Sequence, residues 1–337
     1  MIELEIYRRK LLTRLVEKAE KICAIKRSGF LTHYFYLQFL STEDGDPFAR
    51  ITDLEFLREQ IELNGGLASN DNIEFIVHLF NSYKSKITSF SENNSDDSYS
   101  VKFNKNFEKL SLFKNLKLVT EEPFSNPAMK RYSRFSKFVD LKKLFLQVYR
   151  YRTLFKITRP TMQLSTSDNY YNFIEKTFNI DVECFASPFN RHFKNFCSAF
   201  PDIDNSLGSY FASHNDLFNL KNRNASLDCP YQIHIIDKSI DLCENTLELN
   251  SKNGLKNTFI FILPYWKDAE FVKRLKICRF TKVIEIVSRE ASSFELHFPD
   301  KPSLVHIHPC PTLAIILSND PSFKISNSTK LKWLSLI

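Results

Sequence analysis

Apolar residues recur every three or four positions at the start of the chain. Leu12, Leu15, Val16, Ala19, Ile22 and Cys23 share one helical face, which predicts a helix over residues 3–27. Arg8, Arg9, Lys10, Arg14 and Lys18 occupy the other positions and read as its solvated face. A second helical stretch covers 30–39. A third starts near Thr52, turns Leu54, Leu57 and Ile61 inward, and stops at Gly65-Gly66. A fourth runs from Asn72 to Ser89 with Ile73, Phe75, Ile76, Leu79 and Phe80 inward. Residues 1–90 therefore read as all-helical. Ser91 to Ser100 has no apolar period and reads as a loop. Residues 102–120 carry a Leu/Phe pattern whose type stays open, and Pro123 and Pro127 punctuate its end.

The pattern changes after Tyr170 to Phe178, a short amphipathic helix. From there strand and helix alternate, as an α/β sheet requires. Strands are expected at Ile180–Phe185, Thr258–Leu263, Lys282–Val287 and Thr312–Leu317. The uninterrupted apolar run at 258–263 is that of a buried parallel strand. The first of these strands breaks at Ser187-Pro188, because proline has no N–H to give a ladder. A sharp loop then lies at its carboxyl end, where open α/β sheets bind ligands.

Composition narrows the class. A chain of 337 residues with 43% hydrophobic content is long enough for two domains and a sizeable core. The seven cysteines are scattered without a Cys-x-x-Cys, and no apolar run reaches the roughly 18 residues of a membrane span. With no secretory pattern at the start, reduced thiols and a soluble protein of the nucleus or cytoplasm are the expectation.

The net charge of +7 becomes informative where it clusters. Between residues 130 and 159, ten Lys and Arg stand against the single acid Asp140. Tyr132, Phe135, Phe138, Tyr149 and Tyr151 are interleaved with Arg131, Arg134, Lys137, Arg150 and Arg152. Cations hold phosphates and rings stack on bases, so this strip suits a nucleic acid. Phe138, Leu141, Leu144, Phe145 and Val148 share a helical face and read instead as core. His306-x-His308-x-Cys310 alternates on one strand face but lacks a fourth ligand, so it reads as structural and no metal is expected.

No Gly-x-Gly-x-x-Gly occurs, and only Gly208 and Gly254 lie beyond residue 66. A nucleotide-like ligand would need another loop. Residues 183–190 read Glu-Cys-Phe-Ala-Ser-Pro-Phe-Asn, and 196–204 read Phe-Cys-Ser-Ala-Phe-Pro-Asp-Ile-Asp. This resembles the phosphorylated CTD-interacting factor family, the cap-specific adenosine N6-methyltransferases, whose stretches read Glu-Cys-Phe-Ala-Ser-Pro-Leu-Asn and Tyr-Cys-Ser-Ala-Phe-Pro-Asp-x-Asp. The resemblance runs from about Leu144 to Phe323. Further on, Pro264-Tyr265-Trp266 matches the family's Pro-Glu-Trp, and Ser318-Asn319-Asp320-Pro321-Ser322-Phe323 its Gln-Asn-Asp-Pro-Gly-Phe. Asp228-Cys229-Pro230-Tyr231 stands where the family has Asn-Pro-Pro-Phe.

The resemblance implies a Rossmann-like S-adenosylmethionine-dependent methyltransferase domain (166–337), preceded by a basic junction (123–165) and an all-helical domain (1–122). It places the cofactor at Phe185, Ala186, Ser187, Pro188, Asn190 and Asp202. It implies that Asp228 and the Cys229 carbonyl each accept one N6–H of an adenine, with Pro230 shaping the turn and Tyr231 stacking on the base. The expected substrate is capped RNA, held by Arg131, Arg134, Lys137, Arg150 and Arg152 at the junction. The family's WW domain has no counterpart, so WW-mediated binding of the polymerase tail is not expected; a protein partner subunit is possible. Leu207-Gly208-Ser209-Tyr210-Phe211 departs from the family's Phe-Gly-Ser-Arg-Gly. That departure keeps open a catalytically inactive RNA-binding or scaffold subunit. The Asp-x-Pro-Tyr form keeps open a DNA adenine N6-methyltransferase.

Overall fold

The computed structural model describes residues 1–25, 54–63, 65–90, 98–104, 106, 108–135, 138–157, 164–198, 200–204, 223–231, 233–300, 303–307 and 310–337. They form two compact units, one of residues 1–162 with 299–301 and the other of 163–298 with 302–337.

In the first unit, α1 (Ile2–Ile22) buries Leu11, Leu12, Leu15, Val16 and Ala19, the stripe expected from its period. Helices α2 (Leu54–Leu63) and α3 (Asn70–Thr88) follow. Gly65 at φ +72 ends the turn after α2, and the Ser69 hydroxyl caps α3 by accepting from Asn72 N. Helix α3 buries Ile73, Ile76, Leu79 and Phe80 as expected, but leaves Phe75 exposed. The expected stretch at 30–39 lies outside the described residues.

The N-terminal region is not all-helical. Strands β1 (Tyr99–Phe103), β2 (Lys109–Lys114) and β3 (Lys117–Pro123) form an antiparallel sheet. The loop expected through Ser100 therefore gives way to strand at Tyr99. In β1, Tyr99 and Val101 are buried and alternate with more open neighbours, the period of a half-buried strand. The β2–β3 hairpin turns through Asn115 and Leu116, both at positive φ, as a tight two-residue connection demands.

Helix α4 (Asn126–Tyr132) is capped by Ser125, and α5 (Leu141–Ile157) packs on α1 and the sheet. This stretch, expected as a separate junction, belongs to the first unit. Tyr149 and Tyr151, expected among exposed rings, are buried. Phe138, expected in the core, is exposed.

The second unit is mixed α/β. Its six-stranded sheet has the order β6-β5-β7-β8-β12-β9, built from β5 (Val182–Cys184), β6 (Asn195–Phe196), β7 (Ala225–Leu227), β8 (Thr258–Pro264), β9 (Thr281–Val287) and β12 (Thr312–Ser318). Strands β6, β5, β7 and β8 pair in parallel, and β12 runs antiparallel to both β8 and β9. Five strands thus share one direction. Every residue of β8 and β12 is buried, which is why both read as unbroken apolar runs.

A smaller sheet orders β11 (Leu304–His306), β10 (Phe294–Leu296) and β4 (Leu164–Ser165). Helices α6 (Asp168–Phe178), α7 (Ile233–Lys252), α8 (Glu270–Ile277) and α9 (Asn327–Leu334) belong to the same unit. Tyr170, Tyr171, Ile174 and Phe178 of α6 pack with Ile260, Ile262, Ala314, Ile316 and Trp333 in one core. Ser167 caps α6 at its start, and Asn179 ends it at φ 54. Among the described residues no helix is long and apolar enough to cross a membrane.

Candidate active site at the carboxyl ends of β5 and β7

After β5 the chain forms β6 on one side, then returns to form β7 on the other. Where strand order reverses in this way, the loops leaving the two central strands part and open a crevice. Cys184 and Leu227 are direct partners in the parallel β5–β7 ladder. The loop from Phe185 and the loop from Asp228 therefore leave neighbouring strands at the same level and the same end of the sheet. Sequence alone named both loops. The strand order brings them together.

The first loop is tightly self-bonded. Asn190 Oδ1 accepts from Ser187 N at 2.7 Å and from Ser187 Oγ at 2.9 Å. Phe189 N donates to Ser187 Oγ, and the Ser187 carbonyl accepts from Asn190 N and Arg191 N. Ala186 N donates to Cys197 O. Ala186, Ser187 and Asn190 are each 2% exposed or less, so Ser187 and Asn190 shape the turn with their polar atoms. Phe185 takes φ +64, a left-handed conformation that costs a bulky residue about 1–3 kcal/mol and that clusters at ligand sites. Asp202 lies in the helical turn Pro201–Asp204, and its side chain is outside the described set, as are Lys137, His308 and the 207–211 segment.

The second loop presents Asp228, Cys229, Pro230 and Tyr231. Cys229 is 2% exposed, and burial pushes its thiol up. Asp228 is half-buried, and its Oδ2 is buried with no hydrogen-bond partner among the described residues. Burial first, and the Glu183 carboxyl second, hold the Asp228 carboxyl well above the usual carboxylate range. Burial also pushes the Tyr231 phenol up, with Asp228 adding to the shift.

Sequence reasoning missed the residues behind these loops. Glu183 is 2% exposed, and its Oε2 accepts from His192 N at 2.7 Å. Burial raises its carboxyl, and His192 partly offsets that. The His192 ring stacks on Tyr171 at 4.0 Å and sets Nδ1 2.5 Å from Asp168 Oδ1. Ser165 Oγ lies 2.6 Å from His297 Nε2 and 3.4 Å from His192 Nε2. The signal was available: a charged residue at 183 inside an apolar strand needs a buried partner. Among the described residues no group of three or more His, Cys, Asp or Glu is placed to hold a metal.

The basic segment needs correction. Arg150 is 3% exposed and donates to both carboxylate oxygens of Glu5. Arg152 faces Glu122 at 3.4 Å and Asp300 at 3.6 Å. Both cations are engaged inside the first unit because acids distant in sequence pack against α5. Arg131 on α4 and Arg134 in the following 3-10 turn are more open, with Arg134 5.6 Å over the Phe135 ring.

The family model described as the phosphorylated CTD interacting factor 1 WW domain matches residues 124–296. That span holds α4, α5 and most of the second unit's large sheet. A curated human protein, mRNA (2'-O-methyladenosine-N(6)-)-methyltransferase, is 26% identical over 201 residues, which is 57% of this chain and 27% of that protein. The mouse protein of the same name is 25% identical over 201 residues with the same coverage. The matched region thus spans about a quarter of the length of these relatives. With just over half of its 337 residues matched by the family model, the chain belongs to the phosphorylated CTD interacting factor 1 family.

Proposed function

We propose that the second unit is a Rossmann-like methyltransferase domain that transfers a methyl group from S-adenosylmethionine to N6 of adenosine at the capped 5′ end of mRNA. What carries this reading is the pairing of the Phe185 and Asp228 loops at the carboxyl ends of β5 and β7, where the strand order reverses. The name of the human and mouse relatives supports the same chemistry.

The crevice suits the acceptor adenine in one respect: a buried carboxyl oxygen at Asp228 has no hydrogen-bond partner among the described residues. Phe185, Ala186, Ser187, Pro188, Asn190 and Asp202 would hold the donor. The sulfonium supplies the reactive methyl when bound. The chain's own groups position the acceptor. Asp228 and the Cys229 carbonyl each accept one N6–H, which aims the nitrogen lone pair, and Tyr231 stacks on the base. Arg131, Arg134 and Lys137 contact RNA phosphates in this reading.

One observation favours a second reading. The polar atoms of Ser187 and Asn190 are bonded to each other, as they would be in a relative that keeps the fold as an RNA-binding scaffold. Incubation with labelled donor and capped RNA beginning with 2′-O-methyladenosine, followed by nucleoside mass spectrometry, separates the two. Formation of the N6-methylated nucleoside supports the enzyme. Its absence, with no calorimetric binding of donor or of S-adenosylhomocysteine, supports the scaffold. Methylation of DNA adenine in preference to capped RNA would overturn the substrate.

A further inference from the structure

Glu183 of β5 and Ser226 of β7 are direct partners in a parallel ladder, so their side chains share one face of the sheet. Asp228 follows Ser226 by two residues and returns to that face. By this register Asp228, the first residue beyond β7, is the diagonal neighbour of Glu183 on the adjacent strand, and the Glu183 carboxyl bears on it. Helix α6 packs onto the sheet through the core shared by its tyrosines. Several titratable groups among the described residues surround the pair. Tyr170 and Tyr171 of α6 both feel the two acids, Cys229 and Tyr231 flank Asp228 on its own loop, and His192 lies beside Glu183. Asp228 has no ion pair with a cation among the described residues. The two acids are not equivalent. Glu183 Oε2 receives the His192 backbone N–H at 2.7 Å, whereas Asp228 Oδ2 is buried and receives no hydrogen bond from the described residues.

Two like charges on adjacent strands, one on a buried residue and the other beside a buried oxygen, disfavour each other, and the charge stays on the acid that has hydrogen-bond donors. We propose that Glu183 and Asp228 form an acid pair carrying one negative charge, held on Glu183, so that Asp228 meets its acceptor as a neutral carboxylic acid. Glu183 is then a positioning residue, acting through Asp228. This rests on the proposed methyl transfer for its substrate consequence. A neutral acid offers one carbonyl acceptor and no charge. It suits an uncharged amino group on an aromatic ring, such as adenine N6, and disfavours an aliphatic ammonium such as a lysine side chain. It is also not a base, so the proton lost from N6 on methylation leaves to solvent.

The raised Asp228 carboxyl agrees with this geometry. A folded-state pKa above the unfolded value means that the folded chain holds a proton the unfolded chain has lost. That stabilisation is complete below the unfolded pKa and is lost as pH rises towards the folded pKa.

The test follows urea unfolding through Trp266 and Trp333, the only two tryptophans and both in the second unit. Wild type, Asp228→Asn and Glu183→Gln are compared between about pH 5 and 8. Relative to Asp228→Asn, the wild-type unfolding constant should rise by up to about tenfold per pH unit. Glu183→Gln should flatten that rise, because Asp228 then ionises at lower pH. Parallel wild-type and Asp228→Asn profiles would overturn the acid pair. If a variant fails to fold, infrared spectroscopy of the wild type decides. A protonated-carboxyl band at neutral pH, lost on alkaline titration, supports the pair, and its absence overturns it. Neither measurement needs donor or RNA, so failure here leaves the methyl-transfer reading standing, and absence of methyl transfer leaves the acid pair standing.

Discussion

Arg150→Ala separates a structural cation from an RNA-binding one. The Arg150 Nε and Nη2 donate to Glu5 at 3.1 and 2.5 Å, and both side chains are 4% exposed. Burial alone would raise the Glu5 carboxyl. Arg150, and then Arg8, outweigh it and hold the group below its ordinary range. Removing one member of a buried pair costs about 3–5 kcal/mol. Arg8, at 2.7 Å, retains part of the compensation, so the lower end, about 3 kcal/mol, is expected. Two hydrogen bonds to a charged acceptor, at about 1.5–3 kcal/mol each, lead to the same range. For a unit of this size that is a fall of roughly 6–12 °C in the unfolding midpoint. Circular dichroism during urea and thermal unfolding measures it, and the paired Glu5→Leu/Arg150→Met variant should recover most of the loss. A loss below about 1 kcal/mol, the value of an exposed pair, would refute the reasoning. So would weakened RNA binding at unchanged stability.

Tyr231→Ala should abolish methyl transfer while leaving the tryptophan-monitored unfolding midpoint near that of the wild type; full activity would remove this residue from the site. Ser167→Ala loses the hydroxyl that caps α6 and should cost about 1 kcal/mol in urea unfolding. Trp333→Ala empties a fully buried site in the core beneath the sheet and should cost about 3–5 kcal/mol by the same assay. Acid should destabilise the chain through Asp320. The Ser322 hydroxyl, its backbone N–H and Lys256 hold that carboxyl down to about 2, so its contribution is present above the ordinary carboxylate pKa and lost as pH falls towards 2. Asp320→Asn should remove that part of the acid titration.

The long strands were legible because their physics is local. Strands β8 and β12 are buried on both faces, so each reads as an apolar run with no polar interruption. The helices α1 and α3 were legible for the same reason, through their 3/4 stripe. The sheet β1–β3 was not. Its strands are short, their exposure is mixed, and the hairpin turn uses Asn115-Leu116 in place of a glycine signal. The basic segment misled because a cation's sequence neighbours do not reveal its partners. Glu5 lies 145 residues from Arg150. Both candidate loops were visible in the residues, but their adjacency depends on β7 forming on the far side of β5 from β6. Glu183 was passed over, although a charge inside an apolar strand signals a buried partner. Its donor is the backbone of His192, which only the folded loop supplies.

The most direct measurement is amide chemical-shift mapping of the chain during titration with S-adenosylmethionine. The account predicts saturable shifts centred on Phe185 to Asn190 and on Asp228 to Tyr231, the two loops that leave β5 and β7 together. Shifts confined to other parts of the second unit, or none at millimolar donor, would contradict it.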